Sequence, residues 1–322
     1  MTPLIEADDL AKHFPLPRRG LGPRGAVRAV DGVSFQVGAG EVLGLVGESG
    51  SGKSTIGRLA LRLIEPTRGR VRFEGQDITT IAPRALRPLR RAMQMVFQDP
   101  YASLNPRRNV GNAIGEVLQL HGLGDARQRR ARTADLLTRV GLSGDDMRRM
   151  PREFSGGQRQ RIAIARALAV EPRFLVADEP VSALDVSIQA GILALLRDLQ
   201  RELKLAMLFV SHDLSVVEVM ADRVMVLYLG KVMEVGPTRT IFTAPRHPYT
   251  AGLLDAAPGA ERPSRTKVVL RDEIPSPANP PSGCVFRTRC PFVLDECARV
   301  VPPLRPMGPD HAMACIRDDV RL

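Results

Sequence analysis

One short run, Gly47-Glu48-Ser49-Gly50-Ser51-Gly52-Lys53-Ser54-Thr55, has the residue types needed to gather phosphate oxygens. Gly47, Gly50 and Gly52 lack a Cβ, so successive backbone N–H groups can close around an anion without clash. Lys53 adds a point charge suited to β- and γ-phosphates, and the Ser54 hydroxyl is a ligand type for Mg²⁺. The pattern G-x-x-x-x-G-K-[ST] by itself arises by chance in roughly one chain in a hundred of this length, so its frame decides. That frame is favourable. An apolar run over residues 41–46 reads as a buried parallel strand, and a helix opens near Lys53 with its positive dipole end toward the anion. A glycine-rich surface turn is the bland reading, and the Lys-Ser pair in a strand–helix frame speaks against it.

Five further segments follow in order: Gln98, Phe154-Ser155-Gly156-Gly157-Gln158, Leu175-Val176-Ala177-Asp178-Glu179-Pro180, Ser182-Ala183-Leu184-Asp185 and Ser211-His212-Asp213. Asp178 ends an apolar strand, which sets its carboxylate at the carboxyl edge of the sheet, where open α/β folds bind ligands. From there it could hold Mg²⁺ through water, while Glu179 orients and deprotonates a water aimed at a terminal phosphate. Acids buried there for structure alone would be costly. His212 ends a second apolar strand, residues 207–210, on the γ-phosphate side, although a lone histidine is usually a satisfied structural group. Gln98 offers an amide to Mg²⁺ or to the attacking water. Ser155, Gly156 and Gly157 precede a helix through Ile162 and Leu168, a second helix N-terminus able to face an anion.

The elements that must position these groups alternate. Val27, Val30, Val33, Phe35 and Val37 mark a β-rich start, broken at Asp31-Gly32, and Val71 and Phe73 mark another strand. From about 106 to 165 the pattern turns helical and arginine-rich, with Leu136, Leu137 and Val140 forming an apolar stripe. Apolar runs at 174–177, 207–210 and 224–227 read as strands, with an amphipathic helix through Ile188, Ile192, Leu195, Leu196, Leu199 and Leu203 between the first two. The expectation is an α/β fold with a parallel sheet covered on both faces.

Composition narrows the setting. At 322 residues there is room for one large domain and an appendage. The start carries Glu6, Asp8 and Asp9 and no apolar h-region, and no run approaches the roughly 18 apolar residues of a membrane span, so a cytosolic or membrane-peripheral chain is expected. The net charge of +11 rests on arginine clusters at 84–91, 127–132 and 148–152. With no Trp and three Tyr there are no base-stacking platforms beside them, so a solvated face or an anionic leaflet is favoured over nucleic acid.

The six segments together resemble those of the ATP-binding cassette (ABC) ATPases, over residues 1 to about 240, where they are named Walker A loop, Q-loop, signature, Walker B, D-loop and H-switch. The signature usually begins with Leu, and Phe154 stands in its place here. The resemblance implies an ABC cassette over 1–245, with a mixed or parallel sheet core, an antiparallel β subdomain and a helical subdomain at about 106–165. It implies ATP and Mg²⁺, with Ser54, Gln98 and Asp178 toward the metal and Glu179, His212 and Lys53 toward catalysis. It also implies two cassettes packed head to tail around two ATPs. Ser155, Gly156, Gly157 and Gln158 would then meet the nucleotide on the partner's loop, and Asp185 would lie at the seam. An aromatic that stacks on adenine is expected ahead of the loop; Phe14 is the candidate, with residues 15–26 inserted after it.

Residues 246–322 differ in composition, being proline-rich and then cysteine-bearing. Arg246-His247-Pro248-Tyr249-Thr250-Ala251-Gly252-Leu253-Leu254 and the run Pro275-Ser276-Pro277 through Gly283-Cys284-Val285-Phe286 resemble the tail of oligopeptide and dipeptide importer ATPases. Residues 97–106 are similar to the second of that group's two unlike ATPase subunits. The partners implied are an unlike second ATPase in a heterodimer, two transmembrane permease subunits and, through them, an extracytoplasmic peptide-binding protein, at the cytoplasmic face of the inner membrane. Nickel and glutathione importers share these features. A soluble ABC ATPase acting on nucleic acid, or a nucleotide-gated metal sensor, are alternatives of other classes.

All four cysteines, Cys284, Cys290, Cys297 and Cys315, lie in this tail. Stable disulfides are disfavoured in a cytosolic chain, so a metal is the better account of their grouping. The spacing C-x₅-C-x₆-C-x₁₇-C lacks the paired C-x₂-C of common zinc sites, and four thiolates in a loop-rich segment suit a [4Fe–4S] cluster, as members of the importer group carry. Zinc, or cysteines that are free or disulfide-bonded, are the other readings.

Overall fold

The computed structural model describes residues 3–17, 25–99, 103–257, 268–270 and 273–320. Most of the inserted segment after Phe14, residues 100–102 of the 97–106 run, and Pro263 lie outside them. In chain order the elements begin with β1 (Ile5–Pro15), β2 (Ala26–Val37), β3 (Val42–Val46), α1 (Lys53–Ala60), β4 (Arg68–Phe73), β5 (Gln76–Asp77), α2 (Pro83–Ala92) and β6 (Met93–Val96). Next come α3 (Val110–Leu120), α4 (Ala126–Arg139), α5 (Gly156–Leu168), β7 (Phe174–Asp178), α6 (Val186–Leu203) and β8 (Ala206–Val210). The last are α7 (Leu214–Met220), β9 (Arg223–Tyr228), β10 (Lys231–Pro237), α8 (Thr238–Thr243), α9 (Pro248–Ala256), β11 (Arg305–Gly308) and β12 (His311–Met313).

The chain divides into two compact units. The first is Met1–Leu4, Val37–Glu41 and Thr80–Val210. Its strands β6, β7 and β8 run parallel, with Met93 opposite Phe174 and Phe174 opposite Ala206. Every residue of β7 and β8 is buried, which is why these stretches read as unbroken apolar runs rather than alternations. The arginine clusters occupy helix faces. In α2 only Leu86 is buried, and α4 buries Thr133, Leu136 and Leu137, leaves Arg129 half-buried and turns Arg127 and Arg130 outward. A reciprocal cap between Asp125 and Gln128 starts α4.

The second unit is Ile5–Gln36, Val42–Thr79 and Ser211–Leu322. It holds a four-stranded sheet in the order β2-β1-β4-β5, with β1 and β4 antiparallel and Ile5 opposite Phe73. Separately, β3 lies parallel to β9, so that Val46 faces Val226, and β9 continues antiparallel into β10. The tail, which has little periodicity in sequence, extends this layer. Strand β12 pairs with β10, and β11 pairs with β12.

A buried carboxylate ties that addition down. Glu234 of β10 is wholly buried and accepts the backbone N–H groups of Arg246 and His247 at 2.7 and 3.1 Å, with His311 Nε2 at 2.8 Å. Replacing Glu234 with Ala would strand three donors, two of them buried, and a loss of about 3 kcal/mol is expected. A denaturant-unfolding midpoint unchanged from wild type would contradict it.

Candidate functional site

The phosphate-type loop links β3 to α1, and its glycines are there for space. A Cβ on Gly47, at φ 146°, would stand 2.2 Å from the Leu227 carbonyl oxygen. One on Gly52, at φ 103°, would stand 2.1 Å from that of Ala29. The back of the loop is therefore pressed onto β9 and β2, whereas Gly50, at φ 78°, has open space where its side chain would be. Lys53 is only 5% exposed, and its ammonium donates to the Gly47 and Glu48 carbonyls at 2.7 and 3.0 Å, closing the loop on itself. No side chain caps α1 at Gly52, which suits a helix end meant for an anion.

Sequence reasoning placed Glu48 in this loop but missed what holds it. The Glu48 carboxylate is gripped by both guanidinium nitrogens of Arg289, at 2.6 and 3.0 Å. Its backbone N–H donates to the Tyr249 hydroxyl at 3.0 Å. Tyr249 packs edge-on to Tyr228 at 4.8 Å between ring centroids, with Phe286 at 5.2 Å. Burial holds the Tyr249 hydroxyl protonated, its pKa far above the phenol range. Burial also depresses His247 to about 4, so the ring is neutral and its Nδ1 accepts the Tyr249 N–H at 3.1 Å. The only sequence signal for Arg289 was its place between Cys284 and Cys290.

In the other unit, Asp178 closes β7 and is 2% exposed. Glu179 follows in left-handed backbone at φ 46°, an uncommon conformation for a side-chain-bearing residue. Its N–H still reaches the Val210 carbonyl at 2.9 Å, so the strand edge holds while the chain turns. Gln98 Nε2 donates to Glu179 Oε2 at 3.0 Å, bringing together two predicted residues 81 apart in sequence.

Ser155 caps α5 by a reciprocal pair: its hydroxyl accepts the Gln158 N–H at 3.3 Å, and its own N–H donates to Gln158 Oε1 at 2.9 Å. A Cβ on Gly157 would lie 2.4 Å from Ile188 Cγ2, so this turn needs a glycine to lie against α6, whose N-cap is Asp185. Phe154 is buried, with the Arg149 guanidinium 4.2 Å from its ring centroid.

His212 is exposed and follows Ser211, whose N–H donates to the Leu45 carbonyl at 3.1 Å. That bond sets His212 near the end of β3, just ahead of the glycine loop. Phe14, near the end of β1, is 40% exposed, with the Lys12 ammonium 5.3 Å from its ring centroid.

The four cysteines are free thiols. Burial pushes Cys284 up to about 11 and Cys290 up to about 12, and their sister cysteines push in the same direction. The Leu294 N–H donates to Cys297 Sγ at 3.5 Å and the Arg317 N–H to Cys315 Sγ at 3.4 Å. Among the described residues, no group of three or more His, Cys, Asp or Glu is arranged to hold a metal ion.

A profile described as ABC transporter matches residues 30–182, and one described as oligopeptide/dipeptide transporter, C-terminal region, matches 233–297. A Brucella ovis protein whose name assigns it to peptide import as an ATP-binding protein is 54% identical over 320 residues, 99% of each chain. The chain thus belongs to the ABC transporter family of ATP-binding proteins, and it is an ATPase with the cassette fold. More particularly, the oligopeptide transport ATP-binding protein AppF of Bacillus subtilis is 50% identical over 318 residues, 97% of this chain and 96% of that one. Among solved structures, the dimeric ATP-binding cassette MJ0796 in a post-hydrolysis state with ADP and Pi matches at a TM-score of 0.66 and 28% identity. That match covers 73% of this chain and 99% of the other. The Clostridium perfringens protein cbiO1, part of the ABC transporter complex cbiONQ, matches at 0.64 and 26% identity, over 75% and 91% of the two chains. No helix among the described residues is long and apolar enough to cross a membrane.

Proposed function

We propose that the chain is the ATP-hydrolysing subunit of a binding-protein-dependent peptide importer. It works as a peripheral subunit at the cytoplasmic face of the membrane, paired with an unlike second ATPase and seated on two permease subunits that receive peptide from an extracytoplasmic binding protein. The observation that carries this reading is the joining, in one chain, of the glycine loop to a tail matched by the oligopeptide/dipeptide transporter profile. The cassette is assigned to 1–245 and the importer-type extension to 246–322.

In the reaction, residues 47–55 enclose the phosphates of ATP, and Lys53 bears on the β- and γ-oxygens. Ser54, Gln98 and Asp178 are an all-oxygen donor set of the kind Mg²⁺ takes, and the ion when bound offsets phosphate charge. Glu179 accepts a proton from the attacking water as its oxygen bonds to the γ-phosphorus and the bond to the bridging oxygen breaks. Gln98, already bonded to Glu179, orients that carboxylate, and His212 stabilises charge on the departing phosphoryl group. Ser155, Gly156, Gly157 and Gln158 address the nucleotide of the second cassette, and Phe14 stacks on adenine.

The test is uptake of labelled di-, tri- and pentapeptides by a strain lacking this chain. Complementation should restore uptake of at least one length class. Restored nickel or glutathione uptake with no peptide uptake would overturn the reading.

The tail thiols are assigned to a [4Fe–4S] cluster. Four sulfur ligands match the donor set, and N–H groups already donate to Cys297 and Cys315 as they do to cluster sulfurs. Anaerobically purified chain should contain about four irons and four sulfides per molecule; stoichiometric zinc without iron would contradict this.

A further inference from the structure

Glu48 poses an electrostatic problem. It places a carboxylate within a loop whose task is to accept a polyanion, and only 24% of that side chain is exposed. An uncompensated carboxylate there would repel the phosphates directly and would be poorly screened by water. The compensation comes from 241 residues away, as Arg289 faces it with a two-pronged bond. The Arg289 side chain is 4% exposed, and a guanidinium stays charged even when buried, so a full positive charge faces the Glu48 carboxylate.

The same residue is fixed at its backbone. The Tyr249 hydroxyl takes the Glu48 N–H, and Lys53 takes the Glu48 carbonyl. Four atoms of Glu48 are thus held, three of them by the tail. The supports are rigid in turn: Tyr228, Tyr249 and Phe286 form one aromatic cluster, and the guanidinium carbon of Arg289 lies 5.7 Å from the Tyr228 centroid. The Arg289 N–H also donates to the Phe286 carbonyl at 3.0 Å, fixing the turn from which the side chain springs.

We propose that Arg289 is a positioning residue for nucleotide binding: with Tyr249, the tail neutralises Glu48 and holds the phosphate loop in its anion-accepting shape. The tail is then part of the ATP site of its own chain as well as an importer-type extension. This inference rests on the assignment of residues 47–55 to nucleotide.

The test is the equilibrium Kd for Mg·ATP of the full chain. Arg289→Ala should weaken binding about tenfold, because the Glu48 charge is left facing the phosphates. Arg289→Lys, which keeps the charge and loses the fork, should recover part of that loss. Adding Glu48→Gln to Arg289→Ala should return affinity to within about threefold of wild type, since a neutral amide needs no counter-charge. A merely structural arginine would show no such rescue. Should Arg289→Ala fail to fold, Arg289→Lys and Tyr249→Phe are read alone, each with a weakening of about threefold expected. Unchanged affinity in these variants, or a double variant no better than Arg289→Ala, would overturn the clamp. Failure of the wild-type chain to bind ATP would instead overturn the nucleotide assignment, and the clamp with it.

Discussion

Glu179→Gln is expected to lower ATP turnover about a thousandfold while leaving ATP affinity within about threefold of wild type. The amide has the shape of the carboxylate, keeps a Cβ in the same left-handed backbone at φ 46°, and retains an oxygen for the Gln98 amide now 3.0 Å away. What it lacks is a site for the proton leaving the attacking water. Binding and chemistry should therefore separate in one variant, with nucleotide accumulating uncleaved. Residual turnover near wild type would mean that another group activates the water.

The second large effect is expected at Lys53. Its ammonium bonds two carbonyls of its own loop and is nearly sealed from solvent, so Lys53→Ala removes loop closure and phosphate charge together. Each charge-assisted bond lost in such a setting costs on the order of 1.5–3 kcal/mol, and a fall in ATP affinity of about a hundredfold follows. Lys53→Arg should not restore it, because a planar fork cannot replace a compact ammonium between two carbonyls 2.7 and 3.0 Å away. Wild-type affinity in either variant would contradict the assignment.

Much of this site is legible in the sequence because its chemistry is local. The glycine loop, the strand ends at Asp178 and Val210 and the cap at Ser155 each depend on neighbours a few residues apart, and periodicity carries that information. Contacts between distant residues are another matter. Spacing pairs neither Gln98 with Glu179 nor Glu48 with Arg289; the family resemblance sets the first two at one site, and nothing in the sequence sets Arg289 beside Glu48.

Several elements escaped, two of them for definite reasons. Helix α2 contains Pro88, which ordinarily ends a helix, so its arginines read as a charge cluster without structure. Strand β11 contains Pro306 and Gly308, which destroy alternation; it tolerates them because it is the edge strand of its layer. The buried Glu234 was invisible too, as a carboxylate amid apolar residues of β10 gives no hint of three donors arriving from the tail.

The most direct test follows orthophosphate release from Mg·ATP and nucleotide retention in the same samples of wild-type chain, Lys53→Ala and Glu179→Gln, each assembled with its partner subunits. Release and retention by wild type, neither by Lys53→Ala, and retention without release by Glu179→Gln are predicted. Equal release by all three would contradict the account at its centre.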